Sequence, residues 1–177
     1  MNIKFVLNRK DISEIASYNH IYSFIRIQDN GYNLTFYYYF DEYFNHQTDI
    51  SYYCEIKREN KNIYYWINMK YNENELIEAL NKMKQTYNEI FNNESKIVDN
   101  YLIEKSIYSL EVKNKETNES IIEIIDYEFS CNFEKLINEF EVILNNFKII
   151  EQKFYQSIEK LQKLFNKCIE NITKKQW

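Results

Sequence analysis

His20 and His46 are the only imidazoles in this chain of 177 residues. His46 lies in Asp41-Glu42-Tyr43-Phe44-Asn45-His46-Gln47-Thr48-Asp49, which gathers three carboxylates around one histidine after an expected strand. A divalent cation or a general base would use such a set. No HExxH-like spacing accompanies it, and solvated carboxylates are the ordinary content of a polar loop. The reading is an inter-strand loop, with no metal and no cofactor. Cys131 stands at the start of an expected helix, where the helix dipole lowers a thiol pKa and favours a nucleophile. No histidine is near it in sequence to take the proton, and the repeat described below sets Tyr71 opposite it, so it reads as a packing position. Cys54 and Cys168 fall in apolar registers and read as core. Three cysteines without a CxxC pair argue against a zinc site or a disulfide framework. Glu73 with Glu75, and Glu123 with Asp126, read as helix-start and strand-face charges. No catalytic constellation emerges, and the expectation is a protein that is not an enzyme.

Composition narrows the classes further. Gly31 is the only glycine and there is no proline. Phosphate-cradling loops need glycine for close approach and positive φ, so neither a dinucleotide fingerprint nor a P-loop is possible. The formal charge is −5, and arginine occurs only at Arg9, Arg26 and Arg58. That argues against direct nucleic-acid binding, for which arginine is the principal phosphate and guanine reader. Lys163, Lys167, Lys174 and Lys175 complement a helix C-terminus. With 45% hydrophobic and 28% charged residues the chain is globular. No apolar run approaches the ~20 residues of a membrane span, and Asn8-Arg9-Lys10-Asp11 interrupts the N-terminal apolar stretch before it could serve as a signal peptide. The expected setting is cytoplasmic and off the membrane. Ile, Asn, Lys and Tyr are abundant while Ala and Arg are scarce, a pattern of AT-rich codons, so tyrosine number alone is no sign of a binding surface.

The elements that must position these residues follow from an internal repeat. Leu76, Ile77, Leu80, Met83, Tyr87 and Ile90 match Leu136, Ile137, Phe140, Ile143, Phe147 and Ile150 at an offset of sixty. Steps of three and four draw one apolar stripe along a helix in each copy. Asn72 and Asn132 precede the stripes as N-caps. Upstream, Tyr65, Ile67 and Met69 match Ile125, Tyr127 and Phe129, alternating as half-buried strands do. The strands before them, 52–57 and 108–113, align with polar turns at 58–62 and 114–120. The expected class is α+β: antiparallel sheet with two amphipathic helices, an imperfect duplication of a β-hairpin–helix unit, and a long C-terminal helix. Extra strands at 21–27 and 34–40 flank Asp29-Asn30-Gly31, a type I′ hairpin signal. Residues 3–7 predict an edge or opening strand and 11–17 a short helix. The expected organisation is a single domain, 1–177, with halves 1–95 and 96–177.

The second helix, drawn from Asn132 to about Thr173, would extend ~60 Å, beyond the roughly 40 Å diameter of a compact chain this long. Its stripe continues through Phe154, Ile158, Leu161, Phe165, Cys168 and Ile172, with a stutter at 150–158. It therefore bends there, or its distal half packs on a second copy or a partner through Phe154, Ile158, Leu161, Phe165 and Ile172.

Charge is distributed unevenly. Between Tyr101 and Ser130, seven acidic residues face three lysines. An acidic strand beside tyrosines suits docking on a basic surface, and Tyr37-Tyr38-Tyr39 must place tyrosine on both sheet faces. The expected function is non-catalytic binding that occludes another protein, with Tyr37, Tyr39, Glu119, Glu123, Asp126 and Glu128 as contacts. In general character the chain is similar to inhibitors of bacterial conflict systems: immunity proteins that neutralise a toxin, and anti-CRISPR proteins that block a nuclease. Two alternatives stand beside it. One is a structural adaptor dimerising through the long helix; the other is a ligand-binding protein or enzyme with a pocket lined by Tyr64 and Trp66.

Overall fold

Alternating apolar residues become one nine-stranded antiparallel sheet, and the two capped stripes become helices packed on one side of it. The computed structural model describes residues 3–6, 20–29, 31–41, 50–130 and 132–175; side chains are described for 27–28, 31–37, 52–130, 132–159, Lys163, Lys167 and Lys174. In chain order the elements are β1 Ile3–Val6, β2 His20–Asp29, β3 Tyr32–Asp41, β4 Ile50–Arg58, β5 Ile63–Asn68 and α1 Glu73–Thr86, which ends in a 3₁₀ turn, Tyr87–Glu89. Then come β6 Glu94–Val98, β7 Tyr101–Lys105, β8 Ser109–Asn114, β9 Ser120–Asp126, α2 Phe133–Asn145 and α3 Phe147–Lys175.

The strand order β1-β2-β3-β4-β5-β9-β8-β7-β6 shows the duplication directly. Each copy is a four-stranded meander followed by a helix, β2–β5 with α1 and β6–β9 with α2. The copies join edge to edge where β5 pairs antiparallel with β9. Tight turns use residues that tolerate positive φ: Gly31 at 81°, Asn60 at 62°, Asp99 at 52° and Asn118 at 58°. The Asn72 side chain accepts the Glu75 N–H at 2.9 Å, and Asn132 accepts that of Lys135 at 3.3 Å. Both helices therefore start at the capping asparagines, as the repeat requires.

The helices cross over between copies. α1 packs on β7, β8 and β9 of the second copy and against α2. α2 returns to the first copy: the Phe140 ring meets Tyr65 of β5 edge-on at 5.0 Å, and Glu139 binds Arg58 at 3.1 Å and the Tyr32 hydroxyl at 2.9 Å. Burial desolvates Tyr65, and the nearby Glu139 adds to this in holding its phenol protonated well beyond the ordinary range. The shared interior consists of Leu34, Phe36, Cys54, Ile56 and Ile67 from one copy and Ile103, Leu110, Val112, Ile122 and Ile124 from the other, under Leu76, Leu80, Met83, Leu136 and Phe140. The Cys54 thiol is fully buried and its pKa is pushed up by desolvation, as suits a core residue.

Several sequence expectations change. In β9 the buried positions on the helix-covered face are Ile122, Ile124 and Asp126, one residue out of phase with the expected Ile125, Tyr127 and Phe129; Ile121, on the other face, is buried too. Pairing sets this phase, because Tyr65 lies opposite Ile124 and Ile67 opposite Ile122, and opposed residues share a face. The loop 127–132 is two residues longer than its counterpart 69–72, so the helices keep the offset that the strands lose. The long C-terminal helix is interrupted at Asn146, not at 150–158, giving α2 and a 29-residue α3. By compactness the chain forms two units, Met1–Asn145 and Asn146–Trp177. The hairpin β6–β7 has no counterpart in the sequence expectations, although Asp99-Asn100 between Ile97-Val98 and Leu102-Ile103 carries its turn signal. The expected helix at 11–17 lies outside the described residues.

Candidate functional site

The face of the sheet opposite α1 and α2 carries an unusual row. Strand register places Thr35, Glu55, Trp66, Glu123, Glu111, Glu104 and Ser95 side by side across β3, β4, β5, β9, β8, β7 and β6. Three glutamates are thus direct neighbours on three adjoining strands. Directly opposed side chains have Cβ atoms ~5 Å apart, and like charges so placed are destabilising. One lysine partly relieves the row: Lys113 Nζ lies 3.1 Å from Glu104 and 3.5 Å from Glu111. Among the described residues no cation comes within ion-pair distance of Glu123.

Glu123 answers this environment by holding its proton. Burial is the main cause, the neighbouring Glu111 charge adds to it, Lys113 offsets part and Glu104 contributes, so the carboxyl is pushed up to about 7. Between pH 4.5 and about 7 the folded protein keeps a proton that the unfolded chain releases. The stability this contributes is fully present below pH 4.5 and is lost as pH rises from there through about 7. Glu123→Gln is therefore expected to melt with the wild type at pH 4 and higher at pH 8, by about 1–2 kcal/mol once residual exposure is discounted. Thermal melts at the two pH values check this.

Aromatic residues flank the row. Trp66 stacks on Tyr37 with ring centres 5.5 Å apart and planes 17° from parallel. Trp66, Tyr53, Asn68, Ile121, Glu111 and Glu123 line a cleft of about 280 Å³. On the other side of Glu111 and Glu104 opens a wider cleft of about 630 Å³, bordered by Ser95, Lys105 and Ser109. A second aromatic group lies past the ends of β8 and β9. Tyr108 and Tyr127 stack at 5.8 Å, Tyr64 meets Tyr127 edge-on at 5.7 Å and Phe129 meets Tyr108 at 6.3 Å. Tyr127 is 53% and Phe129 55% exposed, and half-exposed Ile107 precedes Tyr108. This is a contiguous apolar surface, where isolated exposed residues would need no explanation.

The expected contact residues divide among different roles. Tyr37 and Glu123 lie on the sheet face opposite α1 and α2, both part-buried. Glu119 is committed within the fold: it accepts the Tyr71 hydroxyl at 3.2 Å and the Asn68 amide at 3.2 Å, and pairs with Lys70 at 3.3 Å. Asp126 cannot contact a partner, because it is 1% exposed. Its carboxylate accepts the Glu128 N–H at 3.0 Å, the Ser130 N–H at 2.9 Å and the Ser130 hydroxyl at 2.5 Å, which builds the turn after β9. Glu128 is exposed beside that turn and accepts the Asn62 N–H at 3.1 Å. Tyr39 belongs to β3, but its side chain lies outside the described residues, as do those of Leu161, Phe165, Cys168 and Ile172. Phe154 and Ile158 lie in α3, where the Phe154 carbonyl accepts the Ser157 hydroxyl at 2.8 Å. The His46 loop, 42–49, and Cys131 are also outside the described residues.

Glu104, Glu111, Tyr53, Tyr108, Tyr127 and Phe129 are the site residues that sequence expectation does not single out. Alternation within 108–113 marks Glu111 as outward, but only the pairing of β7, β8 and β9 sets the three glutamates abreast. Among the described residues, no three His, Cys, Asp or Glu side chains converge as a metal site. No helix there is long and apolar enough to cross a membrane. Comparison with protein-family models, curated proteins and solved structures finds no match.

Proposed function

We propose that the protein is a non-catalytic binder that occludes a basic surface of another protein through the sheet face opposite α1 and α2. The glutamate row carries the reading. Glu104, Glu111 and Glu123 repel one another across adjoining strands, and a fold selected for stability alone would alternate their charges. A cationic partner surface removes that repulsion on binding, so the same groups that weaken the free protein favour the complex. The acidic field also steers encounter and raises association rates, most strongly at low salt. Tyr37, Tyr53 and Trp66 beside the row supply the aromatic area that concentrates binding energy at protein interfaces. An acidic occluding face of this kind suits an inhibitor of a toxin or a nuclease whose own basic surface engages nucleic acid.

Photo-crosslinking in cells tests the proposal. A benzophenone side chain at Ile125, an outward position between Tyr64 and Ser109, is expected to form an adduct with one protein bearing a basic patch. Introducing Glu111→Lys and Glu123→Lys is expected to reduce the adduct at least tenfold. An adduct that is unchanged by the reversal would refute docking through the glutamates.

A further inference from the structure

Five described residues other than glycine have positive φ, and four of them are Asn60, Asn93, Asp99 and Asn118. Those are the residue types that tolerate the left-handed region. The fifth is Phe129, with φ of 52°. An aromatic residue there is strained, and this one is more than half exposed, so its ring adds little to the core. The turn that imposes the strain is anchored by buried Asp126, which binds both the residue before Phe129 and the residue after it. The Phe129 N–H also reaches the Asp126 carbonyl at 3.3 Å. In the first copy the matching bond runs from the Tyr71 N–H to the Asn68 carbonyl, but Tyr71 is secured by Glu119. The fold thus ties down one aromatic and displays the other.

Resting on the docking reading above, we infer that Tyr64, Tyr108, Tyr127 and Phe129 form a receptor for arginine side chains of the partner protein. A wholly apolar partner would take water from three tyrosine hydroxyls and from Glu128, which would keep only Lys61 at 3.9 Å and the Asn62 N–H at 3.1 Å. A guanidinium satisfies both halves of the surface, because its plane stacks on aromatic faces while its edge donates to oxygen. Lys57 Nζ lies 5.9 Å from the Tyr64 ring centre, so one ring of the cluster already faces a cation within its own fold. Tyr64 shares the face of the glutamate row through its pairing with Ile125, and that row favours a cationic occupant. Lysine lacks the planar stack, so the cluster discriminates between the two basic residues where the glutamates alone do not.

Hexa-arginine and hexalysine peptides, titrated separately into the full chain at physiological salt, test this. The wild type is expected to bind hexa-arginine at least fivefold more tightly. Phe129→Gly and Tyr127→Leu are each expected to bring that ratio close to one without changing hexalysine affinity. Phe129→Gly relieves the left-handed strain, so it is expected to melt no lower than the wild type, and a folding defect does not explain the loss. Equal affinities in the wild type, or a preference that persists in both variants, would overturn the arginine receptor while leaving the docking reading intact. Failure of the wild type to bind either peptide would overturn both.

Discussion

Phe140→Ala is expected to lower the melting temperature of the sheet-bearing unit by roughly 10–15 °C, in a single transition. Phe140 is fully buried and projects from the second copy's helix onto Tyr65 of the first copy's sheet. Removing a buried phenylalanine side chain costs about 3–5 kcal/mol, as lost transfer energy plus a cavity the surroundings only partly close. In a unit of this size each kcal/mol corresponds to roughly 3–4 °C. The form of the transition is as informative as its midpoint. Because α1 lies over β7–β9 and α2 reaches β3–β5, neither copy keeps its interior without the other. Calorimetry that resolves two transitions, one of them unmoved by the substitution, would show that the copies fold independently.

Asp126→Ala is expected to destabilise the same unit by about 3–4 kcal/mol, because the Glu128 and Ser130 amides and the Ser130 hydroxyl lose their carboxylate acceptor. The effect comes from a side chain that is almost wholly enclosed, so it is a test of architecture rather than of binding. Asp126→Asn is expected to recover part of the loss, since an amide oxygen still accepts from the Glu128 N–H while its nitrogen cannot accept from Ser130. Urea unfolding of the three proteins measures both steps. Equal stability of wild type and Asp126→Ala would mean that the turn does not depend on its carboxylate.

Local chemistry made much of this legible from the amino-acid order. Apolar steps of three and four located both helices, and Asn72 and Asn132 marked where they begin. Asn30-Gly31 located the β2–β3 turn. The phase of β9 was not legible in the same way. Ile121, Ile122, Ile124 and Ile125 leave either face open to burial, and the pairing with β5, distant in sequence, decides between them. Asp126 illustrates the consequence. A one-residue slip exchanges the faces of a strand, and an aspartate expected on the surface becomes the buried anchor of an exposed turn. Acidic excess between Tyr101 and Ser130 was visible, but its alignment into a row was not, because Glu104, Glu111 and Glu123 become neighbours only through two successive strand pairings. The break at Asn146 likewise interrupts a stripe whose apolar spacing continues across it.

The glutamate row is proposed to be a docking surface for cations. Calorimetric titration of hexalysine at pH 8, where Glu123 is mostly ionised, addresses it with a simple polycation in place of the partner. The wild type is expected to bind the peptide, more weakly as salt is raised. Glu111→Gln with Glu123→Gln is expected to weaken that binding about tenfold, or roughly 1.4 kcal/mol. The same affinity in the wild type and the doubly neutralised protein would contradict the claim.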